Sequence, residues 1–219
     1  MSKTLRKFIT SAGAVGAVAA FGGLDVAMAA AKKRSGEAPC TVPELHCIVT
    51  GRNKVGKSVI VSKDPVHALI TALAPGYQFY RLWGSDSVPA LPLDGTPPAQ
   101  PRYFPPQNGF RFGMFTLPPT ATAAIAPAST PANVAEFDHK LPGMGEVLEP
   151  DHPGMHTTDT VDFDVVVFGE VVMELDDGTE VLLKAGDCVI QNGTRHAWHN
   201  RSSQIAIIAF SLIGAERKV

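Results

Sequence analysis

The 219-residue chain has few cysteines, a modest share of charged residues and no long basic run. Its three cysteines include no Cys-x-x-Cys pair, so the spacing of a structural zinc site is absent. Cys40 and Cys47 are close enough in sequence to pair, whereas Cys188 falls within a strand-like stretch. Charged residues make up 18% of the sequence, and the formal net charge is −2. Nucleic-acid binding is therefore not expected.

The first 29 residues have the pattern of a secretory signal peptide. Three basic residues precede an Ala- and Gly-rich apolar run over residues 8–24, and Ala27 and Ala29 fit the small-x-small pattern of a cleavage site. Because the run is weakly hydrophobic and is followed by Asp25, a permanent membrane anchor is disfavoured. We predict a signal peptide over residues 1–29 and an exported protein, periplasmic or secreted, without stable membrane insertion after cleavage.

The remainder is long enough for one domain with extended connections. We predict a flexible lead-in over residues 30–45 and a single barrel domain over residues 46–219. An early hairpin is expected around the turn-forming residues 51–56, and two further strands are expected at 78–83 and 110–116. The segment between those two strands, residues 87–107, is rich in proline, which lacks the N–H that a central strand donates, so a long loop is expected there.

The second half of the chain predicts a short helix and then a β-rich region. The helix is expected at residues 134–140, before Pro142 and Gly143. Five runs rich in Val, Ile, Phe and Leu follow, separated by short turns, at residues 161–168, 171–175, 179–183, 188–191 and 204–213. This spacing predicts a meander of antiparallel neighbours, and a closed or sandwich-like barrel would remove their exposed edges.

A few polar side chains interrupt the strand-like sequence and are candidates for chemistry. Side chains alternate across a strand, so His156 and Asp162 share one face. On a later strand His196, Trp198 and Asn200 share a face. If both faces line one interior, two imidazoles and a carboxylate converge, which is a ligand set for a first-row divalent metal. The alternative is structural: a lone buried histidine satisfying a hydrogen bond and an aspartate capping a turn.

These residues resemble the two sequence motifs of the cupin superfamily, a His-x-His followed by Glu and Gly, and a Pro-x-Gly-x-x-His-x-x-x-Asn. The resemblance covers about residues 141–214. The matching positions are His156, Asp162, Gly169, Gly193, His196 and Asn200. It implies an all-β fold: an antiparallel cupin-type β-barrel, jelly-roll-like, with long Pro-rich loops and a short helix after the N-terminal signal segment.

The chain departs from the cupin pattern at three positions. Thr158 stands where the second histidine is expected, Asp162 replaces the glutamate, and Gln191 replaces the proline. Losing one imidazole reduces a four-ligand site to a two-His-one-carboxylate set, which resembles non-haem iron sites.

The resemblance implies an exported small-molecule enzyme, a metal-dependent and dioxygenase-like oxidoreductase. Its metal ligands and catalytic residues would be His156, Asp162 and His196. Its substrate contacts would be Thr158, Trp198 and Asn200. The cofactor would be a divalent transition metal: iron, manganese, nickel, copper or zinc. The resemblance also implies that two subunits can form a homodimer.

Two other functions fit the same residues. A lyase or isomerase, with or without metal, would use the histidines and Asp162 for acid–base chemistry. A non-catalytic barrel would hold a small ligand in its mouth without converting it.

Overall fold

The computed structural model describes residues 44–218 of the chain. The predicted signal peptide and most of the lead-in lie outside these residues, as does Cys40. Export therefore stays a prediction. Within the described range, no helix is long and apolar enough to cross a membrane.

The described residues form twelve strands and two short α-helices. The first group is β1 (Leu45–His46), β2 (Val49–Arg52), β3 (Ser58–Ser62), β4 (Pro65–Val66), β5 (Gln78–Ser85) and β6 (Phe110–Leu117). Two helices follow, α1 (Pro131–Lys140) and α2 (Met144–Val147). The second group is β7 (Thr160–Phe168), β8 (Glu170–Glu174), β9 (Glu180–Lys184), β10 (Cys188–Asn192), β11 (Ala197–His199) and β12 (Ala206–Gly214).

Two antiparallel sheets form the body of the molecule. A five-stranded sheet has the order β10-β7-β12-β6-β5, and a three-stranded sheet has the order β11-β8-β9. Both sheets contribute to one hydrophobic core: Phe79, Ile208 and Phe210 come from the larger sheet, and Val171 and Leu183 come from the smaller one. The chain therefore has the antiparallel cupin-type barrel that the motifs predicted, and this expectation is confirmed.

Most of the predicted elements are confirmed, with small changes at their ends. β2 and β3 form the early hairpin, and β5 and β6 pair as neighbours. The helix predicted at 134–140 begins earlier, at Pro131, because the Thr130 hydroxyl accepts a hydrogen bond from the Asn133 N–H and proline is favoured at the first helical position.

The long Pro-rich loop contains no strand, as predicted, and it supplies part of the core. Tyr103 is only 5% exposed, and its backbone N–H donates to the carbonyl of Pro142. The carbonyl of Arg102 accepts hydrogen bonds from the guanidinium groups of Arg81 and Arg111. These contacts hold the loop against the five-stranded sheet and place Tyr103 and Phe104 in the interior.

The predicted meander of antiparallel neighbours was wrong at every connection except the one from β8 to β9. β7 and β8 are consecutive in sequence but lie in different sheets, as do β9 and β10, and β7 pairs with β10 and β12 instead. The turn between β7 and β8 is Gly169, with a φ of 74° that favours glycine, and a Cβ there would lie 2.6 Å from the carbonyl oxygen of Ile205. This close turn lets the chain cross between the sheets instead of forming a hairpin.

Candidate functional site

A cavity between the two sheets contains the candidate site. Its wall is mostly aromatic and aliphatic, and four ionisable side chains interrupt it. The apolar lining consists of Tyr77, Phe79, Tyr103, Phe104, Phe115, Leu117, Met144, Trp198, Phe210 and Leu212. The ionisable side chains are His156, Asp162, Asp164 and His196. The three residues predicted as catalytic are thus brought to one cavity.

The two histidines lie side by side. A pair of backbone hydrogen bonds, each 3.0 Å long, links His156 to His196, and their ring centroids are 4.2 Å apart. Nδ1 of His156 lies 3.0 Å from the Gly154 carbonyl oxygen, and Nδ1 of His196 lies 2.9 Å from that of Thr194. Because a carbonyl oxygen can only accept, each Nδ1 carries the proton. The Nε2 lone pair of both rings is therefore left available.

Burial keeps both imidazoles neutral at ordinary pH. It lowers the pKa of His156, and burial together with the neighbouring His156 lowers the pKa of His196 to about 3. An imidazole that resists protonation keeps its lone pair and can accept a proton only from a group positioned against it. A pKa this low also makes His196 a weak base, so the pair is suited to accept a hydrogen bond or to ligate a metal ion.

Two carboxyl groups project from strand β7 into the same cavity. Asp162 is 5% exposed and Asp164 is 6% exposed. The Oδ1 atom of Asp162 is buried and has no hydrogen-bond partner among the described residues. Burial raises the pKa of Asp162 to about 6, against a hydrogen bond from Thr160 that lowers it. Burial, with the neighbouring Asp162, raises the pKa of Asp164 to about 8.

Sequence reasoning missed Asp164. It lies two residues after Asp162 on the same strand, and the alternation that placed Asp162 in the interior also places Asp164 there. The signal was therefore available, but no cupin motif position falls on this residue. With a pKa near 8, Asp164 is the carboxyl group in the cavity that is protonated at neutral pH and can donate a proton.

The residues predicted as substrate contacts have different surroundings. Trp198 lines the cavity, edge-on to His196 with ring centroids 5.7 Å apart. Thr158 is buried beside the cavity, and its hydroxyl lies 2.7 Å from that of Thr160. Asn200 is also outside the lining, and its amide donates to the carbonyls of Leu117 and Gln204. Thr158 and Asn200 therefore make hydrogen bonds within the barrel and do not line the cavity. Contact with a substrate stays a prediction for both.

A bound metal ion requires several ligand atoms that converge on one point. Among residues 44–218, no group of three or more His, Cys, Asp or Glu side chains is arranged to hold one ion. The two histidines have the carbonyl contact at Nδ1 that metal-ligating imidazoles commonly have. A third ligand does not join them in this arrangement, so the predicted three-residue set does not fit a bound metal as it stands, and metal binding stays a prediction.

Comparison with known proteins relates the chain to products of biosynthesis gene clusters. It is 36% identical over 125 residues to the oryzines biosynthesis cluster protein J of Aspergillus oryzae, which is 50% of this chain and 70% of that protein. The chain belongs to the family of this cluster protein. A second relative, the phomopsin biosynthesis cluster protein C' of Diaporthe leptostromiformis, is 42% identical over 80 residues. That match covers 34% of this chain and 39% of the relative.

Solved structures with similar folds are cupins and a predicted decarboxylase. A cupin domain from Schizosaccharomyces pombe is 11% identical, with a TM-score of 0.39 over 78% of this chain and 87% of that one. A predicted oxalate decarboxylase from Thermotoga maritima is 14% identical, with a TM-score of 0.36 over 68% of this chain and 92% of that one. Likenesses this distant do not bear on function. No family model matches the chain.

Proposed function

We propose that this protein is a small-molecule enzyme of the lyase or isomerase type, which moves a proton at a carbon atom of its substrate by acid–base catalysis. One observation carries the proposal. Two buried imidazoles, each with Nδ1 fixed by a backbone carbonyl, have their Nε2 lone pairs available in the cavity that also holds Asp162 and Asp164. Asp162, ionised above about pH 6, and Asp164, protonated below about pH 8, pair a base with an acid in a cavity whose lining is mostly apolar.

In this mechanism Asp162, which is ionised above about pH 6, accepts a proton from a carbon next to a carbonyl group, and Nε2 of His156 or His196 accepts a hydrogen bond that orients the substrate. The electron pair of the broken C–H bond moves onto the carbonyl oxygen, where the proton of Asp164 stabilises the developing negative charge or is transferred to it. Returning a proton to a different carbon completes an isomerisation, and loss of a leaving group completes an elimination. Asp162 lies beside Asp164 and raises its pKa, which keeps the donor protonated.

The relatives support a role in the conversion of small molecules, because both are named for biosynthesis clusters. The cavity supports the same role, since a mostly apolar lining with a few convergent polar groups is typical of small-ligand sites.

The test measures proton exchange at carbon. The protein is incubated in deuterium oxide with a panel of aminoketones, neutral ketones and keto acids, with a chelator present, and deuterium uptake is followed by proton NMR. We expect one substrate class to exchange, with the signal lost in His196→Gln and kept in His152→Gln, a control at an exposed histidine. Exchange that persists unchanged in both variants, or activity that chelation abolishes and one metal restores, would reject metal-free catalysis.

The predicted metal-dependent oxidoreductase is the second candidate, and the carbonyl contacts at both Nδ1 atoms favour it. Its ligands would be His156, His196 and Asp162, whose unpartnered Oδ1 would have to move within reach. Iron, manganese, nickel, copper or zinc would supply Lewis-acid or oxygen chemistry there. Elemental analysis of the protein purified without chelator decides: near-stoichiometric metal that His196→Ala loses supports this candidate, and metal-free active protein rejects it.

Export and self-association also stay proposals. A homodimer is favoured by the outer face of the five-stranded sheet, where Phe163 faces Ile190 on one neighbouring strand and Ser211 on the other, and Ser211 in turn faces Phe112. Phe112, Phe163 and Ile190 are 42%, 46% and 53% exposed. Because none of these four side chains is charged, two copies related by a twofold axis can bring this face together without like-charge contacts.

A further inference from the structure

We propose that the cavity selects a small organic cation, a primary or secondary ammonium group carried on an apolar body. The inference rests on the proposed function, because it names the substrate class of the same site. Three features of the described residues carry it: the sign of the ionisable groups in the lining, an unpartnered carboxylate oxygen, and the aromatic wall.

The lining has acidic side chains but no basic ones of fixed charge. Asp162 and Asp164 face the cavity, and none of the described residues that line it is lysine or arginine. The guanidinium groups behind the wall are already engaged: Arg81 donates to the carbonyls of Gln100 and Arg102, and Arg111 donates to Asp86 and to backbone carbonyls. A carboxylate or phosphate on a ligand would therefore enter beside two carboxyl groups with no fixed positive charge to balance it.

The Oδ1 atom of Asp162 needs a hydrogen-bond donor. It is buried and unpartnered, in a residue that is 5% exposed and lines the cavity. A buried acceptor without a partner is unfavourable, and a charged N–H donor is the strongest partner for a carboxylate. A neutral apolar ligand would fill the cavity and leave this atom unsatisfied, whereas an ammonium group satisfies it and neutralises its charge.

The wall offers the second element of cation recognition. Phe79 lies 6.3 Å from Tyr103, Tyr103 lies 6.2 Å from Phe210, and Phe210 lies 6.1 Å from Phe115, measured between ring centroids. The four rings line the same cavity as the two carboxyl groups. Aromatic faces attract cations through their quadrupoles and also bury an apolar chain, so the rings suit both parts of an amine ligand.

The experiment compares three probes that share a phenyl ring and a short chain and differ in charge: phenethylamine, phenethyl alcohol and hydrocinnamate. Their binding to the full chain is measured by calorimetry at neutral pH. We expect the amine to bind at least about tenfold more tightly than the alcohol, and the carboxylate to bind most weakly. An alcohol or carboxylate that binds as tightly as the amine, or an amine that does not bind at millimolar concentration, would overturn the inference.

Substitutions then test which side chain gives the cavity its preference for the amine over the alcohol. Asp162→Asn keeps the shape of the side chain and removes its charge, so the amine should lose its advantage over the alcohol. Asp164→Asn, at a carboxyl group that already holds its proton at neutral pH, should change the ranking less. Asp177→Asn removes one carboxylate at an exposed turn with φ of 59°, a conformation that asparagine tolerates, and should leave the ranking unchanged. A ranking that persists in Asp162→Asn contradicts the inference.

The outcomes separate this inference from the proposed function. Binding needs no chemistry, so amine selectivity without any carbon–hydrogen exchange would reject acid–base catalysis and leave the cation site standing. Exchange of a neutral or anionic substrate, together with no preference for phenethylamine, would reject the cation site and leave the catalysis standing.

Discussion

The two faces of strand β7 have opposite chemistry. The inward side chains of Asp162 and Asp164 are 5% and 6% exposed, and the outward side chains of Phe163 and Val165 are 46% and 38% exposed. In a sheet that packs one face on a core, the alternation normally runs the other way, with apolar residues inside and polar residues outside. Along the middle of this strand the usual pattern is inverted.

The inversion indicates which requirement, stability or function, explains the residue types on each face of β7. Burying two carboxyl groups is unfavourable, and their raised pKa values record that penalty. A sequence selected for stability alone would put valine or isoleucine at both positions. The inward face is therefore explained by chemistry in the cavity, and the outward face by a surface that gains from being covered.

The largest effect that we expect from a substitution on β7 is a loss of catalytic turnover. Asp164→Asn removes the proton donor on the inward face, and we expect turnover in the deuterium-exchange assay to fall by about 10²- to 10⁴-fold. Val167→Thr, on the outward face of the same strand and 48% exposed, should change turnover by less than about twofold. Equal losses in the two variants would mean that Asp164 acts only through the fold.

The next largest effect that we expect is on self-association through the outward face of β7. Phe163→Asp places a charge where we expect a second copy to pack, and like charges meeting across a twofold axis should weaken self-association by at least about 100-fold. Sedimentation velocity over a range of protein concentrations measures this. Lys184→Ala, at an exposed position on the other sheet, is the control. A wild-type protein that stays monomeric at high concentration contradicts the homodimer.

A smaller effect separates two neighbouring valines. Val166 is 2% exposed in the core, whereas Val167 is 48% exposed. Val166→Ala should lower the free energy of unfolding by about 2 kcal/mol, because it removes two buried methyl groups and leaves a cavity. Val167→Ala should change it by less than about 0.5 kcal/mol. Urea unfolding at low protein concentration measures both, and equal losses would show that the outward face is also buried in solution.

Much of the fold could be predicted from the sequence, because strand alternation and turn residues are local signals. The strands at β5, β6 and β7 and the loop between β5 and β6 followed from them. The sheet order did not, because the choice between a hairpin and a crossing at Gly169 depends on the close approach of Ile205, a residue far along the chain.

The candidate site was predicted in part. Motif positions located His156, Asp162 and His196, which do line one cavity. They did not locate Asp164, which lies outside the motifs, and they gave Asn200 a substrate contact although its amide is engaged with backbone carbonyls. Strand alternation predicts whether a side chain points inward. Which of the inward side chains line the cavity depends on how the strands and loops pack.

The final prediction concerns the dependence of stability on pH. In the folded chain the pKa of Asp164 is about 8, against a usual value of 3.8, so between these values the folded state holds a proton that the unfolded state has lost. The free energy of unfolding therefore falls as pH rises through this range. His156 and His196, whose pKa values are lowered from 6.5, change their proton binding on folding only below about that pH, and Asp162 titrates near 6.

The window from pH 6.5 to 8 thus isolates Asp164 from the other three groups in the cavity. There the free energy of unfolding should fall by up to about 1.4 kcal/mol per pH unit, as one proton of difference requires. Asp164→Asn should flatten this slope and be more stable than the wild type at the upper end, even though it loses turnover. Urea unfolding at several pH values measures the slope. A flat wild-type profile would mean that Asp164 is ionised in the folded chain and cannot be the proton donor.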